Sequence, residues 1–533
     1  MKKFKKLSTL LEVSNNNTPN FETYKKYVDM ISAFGYDELY LSLTDAYKME
    51  GEPYFNYKRG GFTAEELKAM EEYANSKGIE LIPNIQTLGH LAFLERHFCY
   101  TDMLDTREIL LVGNERVYEL VDKMFKTMAG ALKSRRIHIG YDETYGLGTG
   151  NYFKQNGFRD RKEILLEHLQ KVVKIGEKYG YTFEIWHDML IERHQTIVTP
   201  EVVKSALPDS VKVFYWNYRE ADEQTLRKNL EELKENVGSY EKITYTGAAY
   251  KINGLSTQND FSISRIIPQM KVSAELGIEQ YLVTVWSDRG AWVNNFAVLP
   301  VLFTAAEYAN GNYDENTPLD KQKFFNIVGA KFDDFMSLDY LNNPDKQPSK
   351  YVHNRSFRVF VEDMLVTGYD LLHDEKMSDW YETLADDYEK VEAGEYGYIF
   401  EMAAAFARTL SIRANLGRTI RAAYKKADKQ ALSECLSRLE NLNDSLGELI
   451  DIFYNYWRKT NVGFGSEINH LFLGGQLVRN DYIMRVIRDY IENDRKIDEL
   501  ETETLPPSID PQYDDDTLFV YDFPWLLTNS NLQ

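Results

Sequence analysis

The feature that most constrains the fold of this chain is an alternation. Eight short runs of β-branched, aliphatic and aromatic residues, at 8–13, 38–43, 80–85, 136–139, 182–186, 212–216, 242–246 and 280–286, are separated by stretches with helical periodicity. Short apolar strands alternating with amphipathic helices are the pattern of βα units around a buried parallel sheet. The spacing predicts helices at 20–34, 63–77, 114–132, 161–179, 262–276 and 296–310. In the second of these Thr63 can cap, Glu66 stands three residues on, Gly78 follows the last turn, and Leu67, Met70, Tyr73 and Ala74 share a face. Eight such units before residue 310 fit the arithmetic of an α/β fold, the (β/α)8 TIM barrel.

After residue 311 the strand signal stops, and amphipathic helices are predicted at 321–336, 355–372, 378–392, 394–426, 429–460 and 466–492. The predicted division is therefore a catalytic barrel over 1–310 followed by an all-α helical domain over 311–533. Within 394–426, Phe400, Ala403, Ala404, Phe406 and Ala407 read as an internal core. The end of the chain, rich in Pro, Asp and aromatics (Tyr513, Phe519, Tyr521, Phe523, Trp525), is predicted to run extended across another surface. With 533 residues, 43% of them hydrophobic, the chain has enough apolar surface for more than one core.

Charge and cysteine usage narrow the partners. Acidic residues outnumber basic ones 83 to 62, a formal charge of -21, and the only basic block is Lys2, Lys3, Lys5 and Lys6. That balance disfavours nucleic acid or an anionic membrane and suits a neutral substrate. Cys99 and Cys435 stand alone, so neither a disulfide framework nor a metal knuckle is indicated. No run of 18 apolar residues occurs, and the apolar stretch after Lys6 is interrupted by Glu12 and the polar series 14–17. The reading is a cytoplasmic protein without a spanning helix, and neither a cofactor nor a metal is predicted.

In such a barrel, chemistry is done by residues just past the C-terminal ends of the strands. After the third strand come Asn84, Gln86 and His90; after the fourth, Asp142 and Glu143; after the fifth, Trp186, His187 and Asp188; after the sixth, Trp216, Asn217 and Tyr218; around the seventh, Tyr245; after the eighth, Trp286 and Asp288. Three strands end in Trp although the chain has only seven. Aromatic walls suit the apolar face of a pyranose or an acetamide methyl, while acids and amides bind hydroxyls. Adjacent Asp142 and Glu143 would face opposite ways on a strand, but a turn at its end can present both, and two close carboxylates separate in pKa. One then stays ionised while the other carries a proton as general acid.

These residues carry a resemblance. The signature His138-Ile139-Gly140-Tyr141-Asp142-Glu143 resembles that of glycoside hydrolase family 20, and the likeness extends to 82–90, 185–189, 215–218 and 285–288. Over 6–310 the chain looks most like the bacterial β-N-acetylhexosaminidase branch whose barrel precedes a helical domain; Trp457-Arg458-Lys459, Phe464-Gly465 and Gly474-Gly475 are similar to that domain. The resemblance implies substrate-assisted catalysis: the 2-acetamido oxygen attacks the anomeric carbon, giving an oxazolinium intermediate. It implies that Asp142 orients the acetamido N–H and that Glu143 is acid, then base. Trp186, Trp216 and Trp286 would box the acetamide and sugar, Tyr218 or Tyr245 would bind the acetamide oxygen, and Asp288, Gln86 and Glu12 would contact the sugar. His90 and His138 would support the carboxylates from behind. The implied substrate is an oligosaccharide or glycoconjugate ending in N-acetylhexosamine, and a homodimer is implied through the helical domain.

One position departs from the family pattern. Asn15 stands three residues after Glu12, where an Arg usually grips the outer sugar hydroxyls, and an amide lacks that charged bidentate fork. Either another residue such as Arg59 reaches in, or the hydroxyls are read differently, which leaves GlcNAc against GalNAc open. Competing readings are an exo-β-glycosidase of other sugar specificity, a metal-dependent barrel hydrolase using His90, His138, Asp142 and His187, and a non-catalytic glycan-binding protein.

Overall fold

A computed structural model describes residues 2–191, 198–252, 254–287, 291–346, 355–366 and 368–505. The eight strands are β1 (Lys6–Glu12), β2 (Glu38–Ser42), β3 (Glu80–Asn84), β4 (Arg136–His138), β5 (Thr182–Trp186), β6 (Val211–Trp216), β7 (Ile243–Ala248) and β8 (Gln280–Val285). They pair in chain order, all parallel, and β1 pairs with β8 to close an eight-stranded barrel. The predicted strands are therefore present with ends shifted by a residue or two. β7 begins later than predicted because a 3-10 turn, Tyr240–Lys242, occupies its expected start. The helix after β2, Ala64–Ser76, has the predicted capping box: Glu66 N–H donates to Thr63 Oγ1 at 3.1 Å, and Thr63 N–H donates to Glu66 Oε2 at 2.7 Å.

Alternation along the strands sorts side chains between lumen and shell. Leu10, Tyr40, Ile82, Trp186, Phe214 and Leu282 form one apolar cluster inside the barrel. Residues of the other parity, such as Leu11, Leu41, Ile137 and Tyr215, join the larger core beneath the helices. The floor of the lumen is polar. Arg136 Nη1 donates to Glu38 Oε1 at 2.5 Å, while its Nη2 donates to Glu184 Oε1 at 2.9 Å and to Tyr40 Oη at 2.6 Å. Ser8 and Gln280 donate to Glu38 Oε2 at 2.8 and 2.9 Å. Buried carboxylates are costly unless paired and hydrogen-bonded, and one guanidinium here serves two of them. Burial still pushes the Glu184 carboxyl up, against the pull of Arg136.

Beyond the barrel the described chain is helical, with none of its helices long and apolar enough to cross a membrane. Two predicted helices are each divided. Gly329, in the left-handed region at φ +78°, separates Lys321–Val328 from Phe332–Ser337, and Asn415 at φ +63° separates Gly397–Arg413 from Leu416–Lys425. A third, predicted over 355–372, stops at Val361. The aromatic tail from Tyr513 to Trp525 lies outside the described residues. Phe400, Ala403, Ala404, Phe406 and Ala407 are buried in the common core.

The helical region and the barrel share that core, and Trp292, just past β8, is its joint. The indole stands 5.6–6.4 Å from Phe360, Phe406, Phe453 and Phe472, which come from four different helices. Trp292→Ala leaves a cavity between the two parts. It is expected to cost about 3–5 kcal/mol, read as a lower midpoint in chemical denaturation.

Candidate functional site

The site begins with a turn. After β4 the chain takes positive φ at Gly140 (+82°), Tyr141 (+84°) and Glu143 (+52°). Gly140 is required twice over: its φ favours glycine, and a Cβ there would stand 1.9 Å from Gln86 Oε1. The turn breaks the strand's alternation, so Asp142 and Glu143 both come within reach of one imidazole. His90, itself at φ +56°, places Nε2 3.2 Å from Asp142 Oδ2 and 3.8 Å from Glu143 Oε2. Gln86 Nε2 donates to Asp142 Oδ1 at 3.4 Å. Non-glycine residues held at positive φ are uncommon, and their concentration around two acids marks a constrained site.

The acids have different surroundings. Burial works to raise the Asp142 carboxyl, but the charge and hydrogen bond of His90 outweigh it and hold Asp142 below the usual carboxylate value. The Asp142 side chain is 16% exposed and that of Glu143 is 49% exposed, so Glu143 is the one open to exchange with solvent. Behind them Asp188 is pushed up to about 7, first by burial and then by the Asp142 charge. Its Oδ2 accepts the Glu143 backbone N–H at 2.8 Å and its Oδ1 accepts the Trp216 indole N–H at 3.2 Å. Asp188 thus ties the acid turn to the aromatic wall.

His138 and His187 are buried, and burial lowers each to about 3, so both are neutral. His138 Nδ1 accepts the Gly140 N–H at 3.2 Å, which puts its proton on Nε2 and props the turn from below. His187 Nδ1 lies 3.3 Å from the Trp216 N–H and accepts it. Among the described residues no group of three His, Cys, Asp or Glu side chains is arranged to hold a metal ion.

The wall is built from three strands. Trp186 is buried with its ring 4.3 Å from His138 and 6.0 Å from Trp286, while Trp216 and Trp286 are half-buried at the mouth. Trp216 stacks on Tyr218 with centroids 5.5 Å apart, and Trp286 Nε1–H donates to Tyr218 Oη at 3.0 Å. Burial raises the Tyr218 phenol, and the Asp142 charge adds to the rise, which places the hydroxyl in the field of the acid turn.

Tyr245 is not with them. It is fully buried in the outer core, stacked on Tyr281 at 5.5 Å, and its hydroxyl donates to the Asn217 carbonyl at 3.3 Å. Of the two tyrosines considered for the acetamide, the structure brings only Tyr218 to the wall.

At the β1 and β8 ends, Glu12 is buried with both carboxylate oxygens occupied. Oε1 accepts from Asn15 Nδ2 at 2.7 Å and Ser14 Oγ at 3.2 Å, and Oε2 accepts the Ser287 N–H at 2.6 Å. Asn15 thus stands on Glu12, at φ +51°. Arg59 is ion-paired with buried Asp45. Asp288 lies outside the described residues.

Two family models match the chain: the catalytic domain of glycosyl hydrolase family 20 over residues 10–262, and the glycoside hydrolase 20C C-terminal domain over residues 333–519. Among curated proteins, Hexosaminidase D of Homo sapiens is 23% identical over 212 residues, 38% of this chain and 42% of that protein. Hexosaminidase D of Bos taurus is 23% identical over 201 residues, 36% of this chain and 56% of that protein. The chain spans about half the length of these relatives. Among solved structures, a GH20 β-N-acetylhexosaminidase from Streptomyces coelicolor A3(2) superposes with a TM-score of 0.44 at 17% identity, covering 59% of this chain and 67% of the other.

Asp188 stands among the residues past the strand ends, but the sequence alone assigns it no role. Its signal was present in Trp186-His187-Asp188, directly after a strand, but only the fold reveals what its oxygens accept. Because its folded pKa lies above the ordinary value of 3.8, Asp188 contributes stability at low pH that is lost as pH rises through about 7. Asp188→Asn, which cannot ionise, is expected to flatten the decline of melting temperature between about pH 4 and pH 7. An unchanged slope in thermal melts across that range contradicts the assignment.

Proposed function

Because the chain belongs to glycoside hydrolase family 20, we propose that it is a retaining exo-β-N-acetylhexosaminidase, removing terminal β-linked GlcNAc or GalNAc from oligosaccharides or glycoconjugates. The observation that carries the reading is the different surroundings of two adjacent acids on one turn: Asp142 held below the usual carboxylate value by His90, and Glu143 open to solvent. In the proposed reaction the substrate's acetamido oxygen attacks the anomeric carbon. Asp142 accepts the acetamido N–H and stabilises the positive charge that develops as the oxazolinium ring closes. Glu143 gives its proton to the departing glycosidic oxygen, then takes one from the water that opens the ring, and two inversions at carbon leave the β configuration.

The wall supports the same reading. Trp186, Trp216 and Trp286 offer flat apolar surfaces for the acetamide methyl and the pyranose face. Tyr218 accepts from Trp286 Nε1–H and also bonds the Thr284 side chain, and in the proposed complex its O–H turns to the acetamide oxygen. Gln86, bonded to Asp142, is placed to steady that carboxylate as much as to touch sugar.

A homodimer is part of the proposal. On the helix Ser466–Asn493 and the residue pair before it, Phe464, Leu471, Val478 and Tyr482 are exposed at seven-, seven- and four-residue spacing, a stripe that two copies can pair against each other. Sedimentation at micromolar concentration is expected to give twice the 62.1 kDa chain mass; a 62.1 kDa species removes the dimer.

Paired chromogenic glycosides test the chemistry. The 2-acetamido β-glycoside is expected to be cleaved and the plain glucoside and galactoside left intact; the reverse pattern turns the reading to a β-glycosidase without an acetamide nucleophile. Glu143→Gln is expected to lower turnover of substrates with unactivated leaving groups by about 10²–10⁴-fold. Azide rescue that yields an α-glycosyl azide argues against the internal nucleophile.

A further inference from the structure

The turn between the helices Lys429–Thr460 and Ser466–Asn493 does not face solvent alone; it sits on the loop after β1. Asn461 forms an isolated antiparallel bridge with Pro19, the Val462 N–H donates to the Thr18 carbonyl at 3.0 Å, and the Asn20 N–H donates to the Thr460 carbonyl at 3.0 Å. Gly465, at φ +97°, lies so close that a Cβ would stand 2.7 Å from Asn16 Cβ. This close fit brings side-chain amides of the two domains into register.

The amides form a directional chain. Thr460 Oγ1 donates to Asn461 Oδ1 at 2.7 Å, so the Asn461 amide presents Nδ2 to the barrel, where it donates to Asn17 Oδ1 at 3.1 Å. That in turn leaves Asn17 Nδ2 as the inward donor: to Ser287 Oγ at 2.7 Å, to Asn295 Oδ1 at 3.3 Å and to the Glu12 carbonyl at 3.4 Å. Ser287 Oγ also accepts from Lys251 Nζ at 2.5 Å, and the Ser287 N–H donates to Glu12 Oε2 at 2.6 Å. Asn17, Ser287, Lys251 and Glu12 are all buried. A buried network is strong when every member is satisfied and costly when one partner is lost, so reversing one amide disturbs the whole line.

We propose that Asn461, from the helical domain, is a positioning residue for the substrate-binding wall formed by the β1 and β8 ends. Resting on the reading above, it sets the polarity of Asn17 and so the places of Ser287, of Glu12 and of Asn15, which Glu12 holds. β8 and β1 stand opposite β4 and β5 in an eight-stranded ring, so this wall faces the acid turn across the mouth. Asn461 therefore governs how tightly the sugar is held rather than how protons move at Asp142 and Glu143.

The test compares Asn461→Ala with Asn20→Ala, which removes a different contact between the domains, the bond from Asn20 Nδ2 to the Lys459 carbonyl. With 4-nitrophenyl 2-acetamido-2-deoxy-β-D-glucoside, Asn461→Ala is expected to raise KM by about tenfold. Its kcat is expected to stay within about twofold of wild type, with both limbs of the kcat–pH profile in place. Asn20→Ala is expected to lower the melting temperature and leave KM alone. An unchanged KM in Asn461→Ala, or a rise of equal size in Asn20→Ala, overturns the proposal. Amide hydrogen exchange of Ser287, measured without substrate, is expected to accelerate in Asn461→Ala; unchanged exchange overturns the proposal whatever the enzyme hydrolyses. A wild type that leaves the acetamido glycoside uncut, with Ser287 exchange still accelerated in the variant, overturns the functional reading alone.

Discussion

The candidate site depends on a backbone turn rather than on any one side chain. A strand delivers successive residues to opposite faces, so two neighbouring acids can share a pocket only if the chain leaves β geometry between them. Gly140 makes the departure, with Gln86 packed where a Cβ would be and His138 accepting its N–H from beneath. The positive φ values at Tyr141 and Glu143 are then sustained by what surrounds them: Asp188 anchors the Glu143 N–H, and His90 takes up the position between the two carboxylates. Gln86 and His90 come from the end of β3, His138 from β4 itself and Asp188 from the end of β5, so pairing these neighbouring strands is what holds the turn in place.

Three carboxyl groups in one corner would repel one another if all were ionised, and the structure resolves this by giving each a different surrounding. Asp142 has the His90 imidazole 3.2 Å away, which holds it below the usual carboxylate value. Asp188 is buried beside that charge and holds its proton toward neutral pH. Glu143 has the greatest access to water. The neutral histidines His138 and His187 act through hydrogen bonds to backbone N–H groups, which orient the turn and the wall without adding charge.

Most of the fold was legible because lumen and shell are both apolar, so each strand stands out as a short hydrophobic run, and capping chemistry such as Thr63 with Glu66 is local. Helix breaks were less visible: Asn415 interrupts an otherwise helical pattern through its own left-handed conformation, which few residues signal in advance. At the site, the acid pair and the three Trp could be found from strand ends alone. Tyr245 shows the limit of that method. Its register partner is Tyr215, whereas Trp216 pairs with Thr246, so Tyr245 is one residue out of step with the wall and points into the shell. A shift of one residue reverses a side chain's face, and no local pattern in 242–246 reveals which residue pairs with which. The role of Asp188, a residue the strand ends do mark, and the Asn461–Asn17 contact are hidden for a different reason: each is set by a partner far along the chain, 45 and 444 positions away.

The polar floor has a consequence for traffic through the molecule. Arg136, clasped by Glu38, Glu184 and Tyr40, stoppers the lumen with charge that is held in place by its partners, and the apolar cluster above it fills the middle. The barrel is therefore a cup and not a pipe. The lumen beneath Trp186 is a dead end, so nothing can be threaded through it, and the mouth is its one open end. On the proposed reaction the departing fragment would leave by the same mouth through which water enters, which would make the order of exit and entry a property of the vessel as well as of the chemistry.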